Sequence, residues 1–345
     1  MDPSNPASFN HRNERLSTGR TYHFVDQLPE TFHSQTTTLL CIHGFPDLWY
    51  SWRYQVKPWV QMGFRVVAPT MLGYGDTDKP VDPSEYTTKK LCADLIALLD
   101  LLGVERAVVI GHDWGSFIAS RMALWHPNRL LSLVLMSIPY TPPLRQYITI
   151  QEFARRLPNM KYQVYFNDPN FTPEVEAALL PFLSAVFLPP GSDINFTDVS
   201  LWPKILGEGH LPSSPSVLTP EELNYYYTEL KKGMTGPLNY YRTSQYRFDE
   251  ERGIILTLTS IFILVADLPS VLPSDLSVLF LWGTSDPAAM PAQVSNARKF
   301  VPRLQDVALE GRGHWIMVEA KDEVTRTISS WLGDLGLLSP QKPKL

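Results

Sequence analysis

Residues 107–127, AVVIGHDWGSFIASRMALWHP, run from an apolar strand through a glycine-flanked turn straight into an apolar helix. A strand that is apolar along its whole length has no wet face. It must lie in a sheet covered on both sides, which is the habit of parallel sheets. Runs of the same kind at 36–44, 64–70 and 131–137 predict its neighbours, and 277–283 and 304–311 resume the pattern late in the chain. Helical patterns lie between and after them, at 87–103, 115–127 and 322–336. In the first of these, Leu91, Leu95, Leu98 and Leu102 fall on one stripe and Gly103 supplies the stop. Strands alternating with helices predict an α/β fold: a mostly parallel sheet with helices on both faces.

The alternation breaks after Ser137. Residues 140–273 are rich in proline and aromatic side chains and helical where they are periodic. The economical organisation is one α/β core in two parts, 1–139 and 274–345, with a helical cap inserted at 140–273. One stretch fits neither part. Residues 253–266, GIILTLTSIFILVA, carry no charge and no clear period. A bilayer-spanning helix needs about 20 apolar residues, so the stretch is too short to span. It reads as an apolar insert within the cap region.

Composition excludes several classes. The net charge of −5 leaves no basic footprint for nucleic acid. The N-terminus, MDPSNPASFNHRNER, lacks the apolar core of a signal peptide, and no stable membrane insertion is expected. Cys41 and Cys92 each sit in an apolar pattern and read as buried thiols rather than a disulfide, which points to the cytoplasm.

The turn GHDWG has the form Gly-x-nucleophile-x-Gly, with Asp113 at its apex and a helix N-terminus favouring an anion there. A helix-capping Asp is the plain alternative. Three other features weigh against it. HGFP at 43–46 ends the neighbouring strand, where Phe45 can offer a backbone N–H that joins the one of Trp114 in an oxyanion hole. His314 follows the last strand, and Asp286 follows the strand before it. The order nucleophile, acid, histidine is that of a hydrolytic triad built on such a sheet. After residues 131–137 the chain reads IPYTPP, which contains no acid and leaves Asp286 as the candidate.

An aspartate in the nucleophile's place changes the chemistry. With an ordinary pKa of about 3.9 it is ionised at neutral pH and needs no base to attack. It suits displacement at saturated carbon, in epoxides or alkyl halides, and becomes an ester. Water activated by a histidine can then release it at the carboxyl carbon. A halide leaves toward N–H donors, whereas an opening epoxide needs an acid. The tyrosine-rich runs 161–169 and 236–247 can supply one, although buried tyrosines are commonly just core aromatics.

With HGFPDLWYSWR (43–53), LGYGDTDKP (72–80), GHDWGS (111–116), YQVYF (162–166), NYYR (239–242) and GHWIMVE (313–319) in view, the chain resembles the soluble epoxide hydrolases of the α/β-hydrolase superfamily. The resemblance covers about residues 20 to 335. It implies the α/β-hydrolase fold with a helical cap, Asp113 as nucleophile, and Tyr162 and Tyr241 as the acid pair, with Tyr165 and Tyr240 as weaker candidates. It implies a substrate pocket lined by Trp49, Trp52, Trp114 and Phe166, and a cis Phe45–Pro46 bond. The partners it implies are a small apolar epoxide and water, with no organic cofactor and no metal. Measured against that family the chain is about a dozen residues longer near 253–266, so the apolar stretch reads as an insertion that a working form can lack. A haloalkane dehalogenase with the same triad is one alternative. A catalytically silent ligand-binding protein on this fold is another. The oligomeric state is left open, with a homodimer as one option.

Overall fold

The computed structural model describes residues 1–256, 262–264 and 267–338. Among the described residues ten strands form two sheets: β1 (His11–Arg15), β2 (Thr21–Gln27), β3 (Thr38–Ile42), β4 (Arg65–Pro69), β5 (Ala107–His112), β6 (Leu130–Met136), β7 (Ile254–Leu256), β8 (Phe262–Leu264), β9 (Val278–Gly283) and β10 (Leu304–Leu309). The main sheet has eight strands in the order β1-β2-β4-β3-β5-β6-β9-β10. From β4 to β10 every pair is parallel, while β2 pairs antiparallel with both β1 and β4. Among the described residues β7 and β8 pair with each other alone, antiparallel.

The central strands are buried on both faces: every residue of β3, β4, β5 and β9 is buried. Each fully buried Val, Leu or Ile contributes about 1.5–3 kcal/mol, so this sheet interior is the main apolar reservoir of the fold. The helices Thr88–Leu101 and Trp114–Trp125 pack against each other and cover it from one side. The stripe Leu91, Leu95 and Leu98 is wholly buried, and Gly103 ends the helix at φ 65°. The edge strand β1 and its neighbour β2 have no counterpart in the sequence reading. β1 alternates exposed and half-buried polar residues and so carries no apolar run to find.

Between β6 and β9 the described chain is mostly helical. It includes Ile150–Arg156, Tyr162–Asn167, Phe171–Ala177, Leu179–Val186, Pro220–Leu230, Thr235–Asn239 and Ser244–Glu251. The longest of these, Pro220–Leu230, starts on a capping box. Thr219 accepts from the Glu222 N–H, Glu222 accepts from the Thr219 N–H, and proline stands in the first turn. Helices here are tied down to the core by buried polar contacts. Glu222 bonds Arg53 at 2.7 Å, and Tyr226 donates to Asp47 at 2.7 Å.

The apolar stretch 253–266 leaves and rejoins the chain at nearly one point. The Leu268 N–H donates to the Glu251 carbonyl at 2.9 Å, and Arg252 pairs with Asp267. Within the stretch only the backbones of β7 and β8 are described in strands; 257–261 and 265–266 lie outside the described residues. No helix among the described residues is long and apolar enough to cross a membrane.

Candidate active site

Three loops that follow β5, β9 and β10 at one end of the sheet converge on a single spot. Asp113 stands directly after β5, at φ 54° and ψ −119°, a region that L residues rarely adopt. Such a backbone costs of order 1–3 kcal/mol and persists only where neighbours fix it. Here its N–H donates to the Met136 carbonyl at 3.2 Å, and its carbonyl accepts from Phe117 at 3.1 Å. The turn is closed by contacts that only glycine permits. A Cβ on Gly115 would lie 2.1 Å from the Ile42 carbonyl oxygen, and one on Gly44 would lie 2.4 Å from the Asp113 Cβ.

The Asp113 carboxylate is held asymmetrically. Oδ1 accepts the Phe45 N–H at 2.9 Å, and Oδ2 lies 3.7 Å from His314 Nε2. Burial raises the Asp113 pKa, while His314 and then the Phe45 and Trp114 N–H groups pull it back. The Phe45–Pro46 peptide is cis. On the far side of the imidazole, Nδ1 lies 3.0 Å from Asp286 Oδ2 and 3.2 Å from Oδ1. Asp286 is fixed in turn by the Ala288 N–H at 2.8 Å. Burial alone would lower the His314 pKa. The opposing pull of Asp286, then of Asp113, lifts it to about 9.

Two further residues hold the histidine from behind. The His314 carbonyl accepts from His112 Nε2 at 2.9 Å and from Ser137 Oγ at 3.1 Å. His112 is wholly buried, and burial drives its pKa well down, so it is a neutral donor. Ser137 itself sits at φ 65° just past β6. Neither residue was among the sequence candidates, although His112 stands inside the GHDWG turn.

Two cavities of about 310 and 500 Å3 meet at this spot. Asp113, Met160, Tyr162, Tyr241 and Ala288 line both, so they form the waist between them. The Tyr162 and Tyr241 rings face each other with centroids 6.4 Å apart. The Tyr162 hydroxyl reaches the weak thioether acceptor of Met160 at 3.6 Å. Burial first raises both phenol pKa values, with the Asp113 charge adding to it, so both stay protonated donors at neutral pH. Their neighbours have other business. Tyr240 spends its hydroxyl on the Leu72 carbonyl at 2.9 Å, and Tyr165 is 41% exposed.

The α/β-hydrolase fold matches residues 37–321. The chain belongs to the α/β-hydrolase fold family. Among this α/β-hydrolase's relatives, the "Bifunctional epoxide hydrolase 2" of Rattus norvegicus is 31% identical over 338 residues, which is 96% of this chain and 56% of the relative. The chain thus spans about half the length of that relative. "Epoxide hydrolase A" of Mycobacterium tuberculosis is 32% identical over 316 residues, covering 87% of this chain and 91% of that protein. Among solved structures, a Vigna radiata epoxide hydrolase mutant superposes with a TM-score of 0.78 at 27% identity, covering 95% of this chain and 99% of that one.

Not every residue expected at the pocket of this α/β-hydrolase reaches it. Trp114 lines the smaller cavity and Phe45 the larger. Trp49, Trp52 and Phe166 line neither, and each is buried behind the wall. Trp49 donates its indole N–H to the Tyr225 hydroxyl at 3.0 Å and packs on Phe9 and His11. Trp52 packs on Trp59. Phe166 supports the waist from outside, against the rings of Tyr241, Phe45 and Tyr162 at 4.9, 5.0 and 5.3 Å. The physical reason is shared. These rings have apolar partners on several sides, and burying them there releases more water than leaving one face on a cavity.

Proposed function

We propose that this α/β-hydrolase is an epoxide hydrolase that adds water to an epoxide through an ester on Asp113. The observation that carries the reading is the waist itself: one buried carboxylate with a histidine on one side and two protonated phenols lining the same passage. A halide-releasing enzyme would have no use for the phenols.

Oδ2 of Asp113 attacks one ring carbon, and the carbon–oxygen bond of the ring breaks. The leaving oxygen takes a proton from Tyr162 or Tyr241, which turns an alkoxide into an alcohol. Oδ1, already bonded to the Phe45 N–H, becomes the carbonyl oxygen of the ester. Water then loses a proton to His314 Nε2 and attacks the Asp113 carboxyl carbon. The N–H groups of Phe45 and Trp114 hold the negative charge that gathers on Oδ1. Collapse breaks the bond from the carboxyl carbon to the substrate oxygen, which takes the second proton of the attacking water. This frees the diol and restores the carboxylate, and the phenolate left by ring opening recovers its proton from the imidazolium of the resting protein. Asp286 keeps the imidazole turned and stabilises its positive form.

The electrostatics suit this order. While Asp113 is charged, His314 is held protonated, with a pKa of about 9. Esterification removes the Asp113 charge, the lesser of the two carboxylate pulls on the imidazole, so the imidazole pKa falls in the state that has an ester to hydrolyse, while Asp286 keeps its hold.

We take residues 1–139 and 274–345 as the core that supplies the triad and 140–273 as the cap that supplies the acid pair. The free, buried thiols of Cys41 and Cys92 suit the cytosol. The reading is tested by turnover of a phenyl-substituted epoxide and of a bromoalkane in heavy-oxygen water. Diol formation with label appearing in the Asp113 peptide is expected. Halide release without diol, or diol with an unlabelled Asp113 after repeated turnover, overturns it.

A further inference from the structure

The two cavities that meet at the waist differ in charge. Apart from the triad, the larger one offers only uncharged polar groups, among them Asn159, Asn195, Thr197 and Ser285. The smaller one is walled by apolar side chains such as Ile138, Leu144 and Phe153, and also by Arg121, Arg247 and Glu251. Asp113 also lines this cavity but is engaged with His314; the remaining two cations against one carboxylate leave an excess positive charge.

The excess belongs to Arg247. Arg121 and Glu251 satisfy each other, with Nε–Oε1 at 2.6 Å and Nη2–Oε2 at 3.4 Å, and Arg121 Nη1 donates to the Thr141 carbonyl at 2.7 Å. Arg247 has no carboxylate within ion-pair distance among the described residues. Its Nε donates to Thr243 Oγ1 at 3.0 Å, and its plane covers the rings of Trp114 and Phe117 at 5.1 and 5.0 Å. Its two terminal nitrogens bond no acceptor among the described residues. The charges that act on it are those of Glu251 first and Arg121 second, which are paired with each other, then Tyr147, whose hydroxyl pairs with Ser244 at 3.3 Å, and Glu250, which accepts from Thr87 at 3.0 Å. Burial lowers the Arg247 pKa to about 10, which leaves it charged at neutral pH. A guanidinium on a cavity wall with its fork unfilled is matched by a planar anion, which can take both terminal N–H groups at once.

We propose that Arg247 is a specificity-determining residue that binds a carboxylate carried by the substrate and so fixes the direction and register in which an elongated epoxide lies across the waist. The inference rests on the epoxide-hydrolase reading above. The anionic end lies in the smaller cavity against Arg247, the apolar chain runs along Ile138, Leu144 and Phe153, and the uncharged end enters the larger cavity. An anchored end allows only some spacer lengths to bring the ring to Asp113, and it presents one ring carbon in preference to the other.

The test compares a homologous series of epoxyalkanoic acids with their methyl esters, using a phenyl-substituted epoxide as reference. In the unmodified protein kcat/KM is expected to favour acid over ester by at least about tenfold at one spacer length, the scale of a single charge-assisted contact. The diol formed in heavy-oxygen water should carry label mainly at one carbon for the acid and at both for the ester. Arg247→Gln should erase the acid preference and the regiochemical difference, and Arg247→Lys should keep part of each. If the variants fail to fold, inhibition of the reference reaction of the unmodified protein by alkanoates over matched alkanamides carries the same information. An acid-to-ester ratio near one, no preference of the inhibitors for carboxylate, or a ratio unchanged in Arg247→Gln overturns the role of Arg247 while leaving the epoxide-hydrolase reading intact. Failure to hydrolyse any epoxide, the reference included, overturns both.

Discussion

His314 Nε2 and Asp113 Oδ2 face each other across 3.7 Å, too far for a hydrogen bond and close enough for each to set the other's charge. Burial would lower the imidazole pKa, but Asp286 first and Asp113 after it lift it to about 9 against an ordinary 6.5, so the imidazole is a cation in the resting protein. A group whose folded pKa is raised contributes stability that is complete below the unfolded value and is lost as pH climbs through the folded one. The unfolding free energy should accordingly fall between about pH 6.5 and 9, by an amount on the order of 3 kcal/mol at most. Urea unfolding across that range measures it. His314→Gln should flatten the slope, and Asp113→Asn should lower the His314 titration midpoint seen by NMR.

Removing the base separates the two half-reactions. His314→Gln leaves Oδ2 able to attack but leaves no group to take a proton from water. One equivalent of substrate should be consumed in a burst, and the protein mass should rise by that of the epoxide. A variant that turns over steadily, or that shows no adduct by intact-mass measurement, contradicts the roles assigned to Asp113 and His314.

The phenols are expected to be partly redundant. Tyr162→Phe or Tyr241→Phe should each slow ester formation by about tenfold or more, and the double variant by about 10²–10⁴, the usual range for a lost general acid. Rapid-quench measurement of the ester isolates this step. Its breakdown should change little, because the hydrolytic water meets His314 and not the phenols.

Gly44 tests the geometry of the turn. A methyl group there would sit 2.4 Å from the Asp113 Cβ and 2.6 Å from Oδ1. Gly44→Ala should cost about 1–3 kcal/mol or more of stability and displace the carboxylate from the Phe45 N–H. Activity should fall more than the thermal midpoint alone explains, as judged by assays well below that midpoint.

The apolar stretch 253–266 should be dispensable. Its flanks already meet through the Leu268–Glu251 hydrogen bond and the Arg252–Asp267 ion pair, so joining Arg252 to Asp267 asks for little rearrangement. Deletion is expected to raise soluble yield and keep activity. A clear loss of either contradicts the insertion reading.

Much of this site is legible in the amino-acid order because its groups stand where strands end. Asp113 and Asp286 each follow a run that is apolar nearly throughout and so announces a buried parallel strand, while His314 follows the half-buried strand LQDVAL. Aromatic side chains are another matter. Trp49, Trp52 and Phe166 are as apolar as Trp114, and whether a ring fronts a cavity or backs its wall depends on partners such as Tyr225, Trp59 and Phe45 that are distant in sequence. Arg247 was hidden for a related reason. Its significance is that Arg121, more than a hundred residues earlier, has already claimed Glu251. β1 escaped because it lies at the sheet edge with only exposed and half-buried polar residues, and β2 because its buried run is broken by His23 and Asp26, which find partners in Thr70 and Arg65.

The origin of the waist has a consequence for how this catalyst can change. Its carboxylate and histidine are rooted in strand ends, whereas its phenols and Arg247 ride on helices laid over them. On the proposed mechanism, the upper layer would select the incoming molecule and open its ring, while the lower one would cleave the ester left behind. Remodelling the upper layer can thus retune selectivity without disturbing the machinery that resets the enzyme.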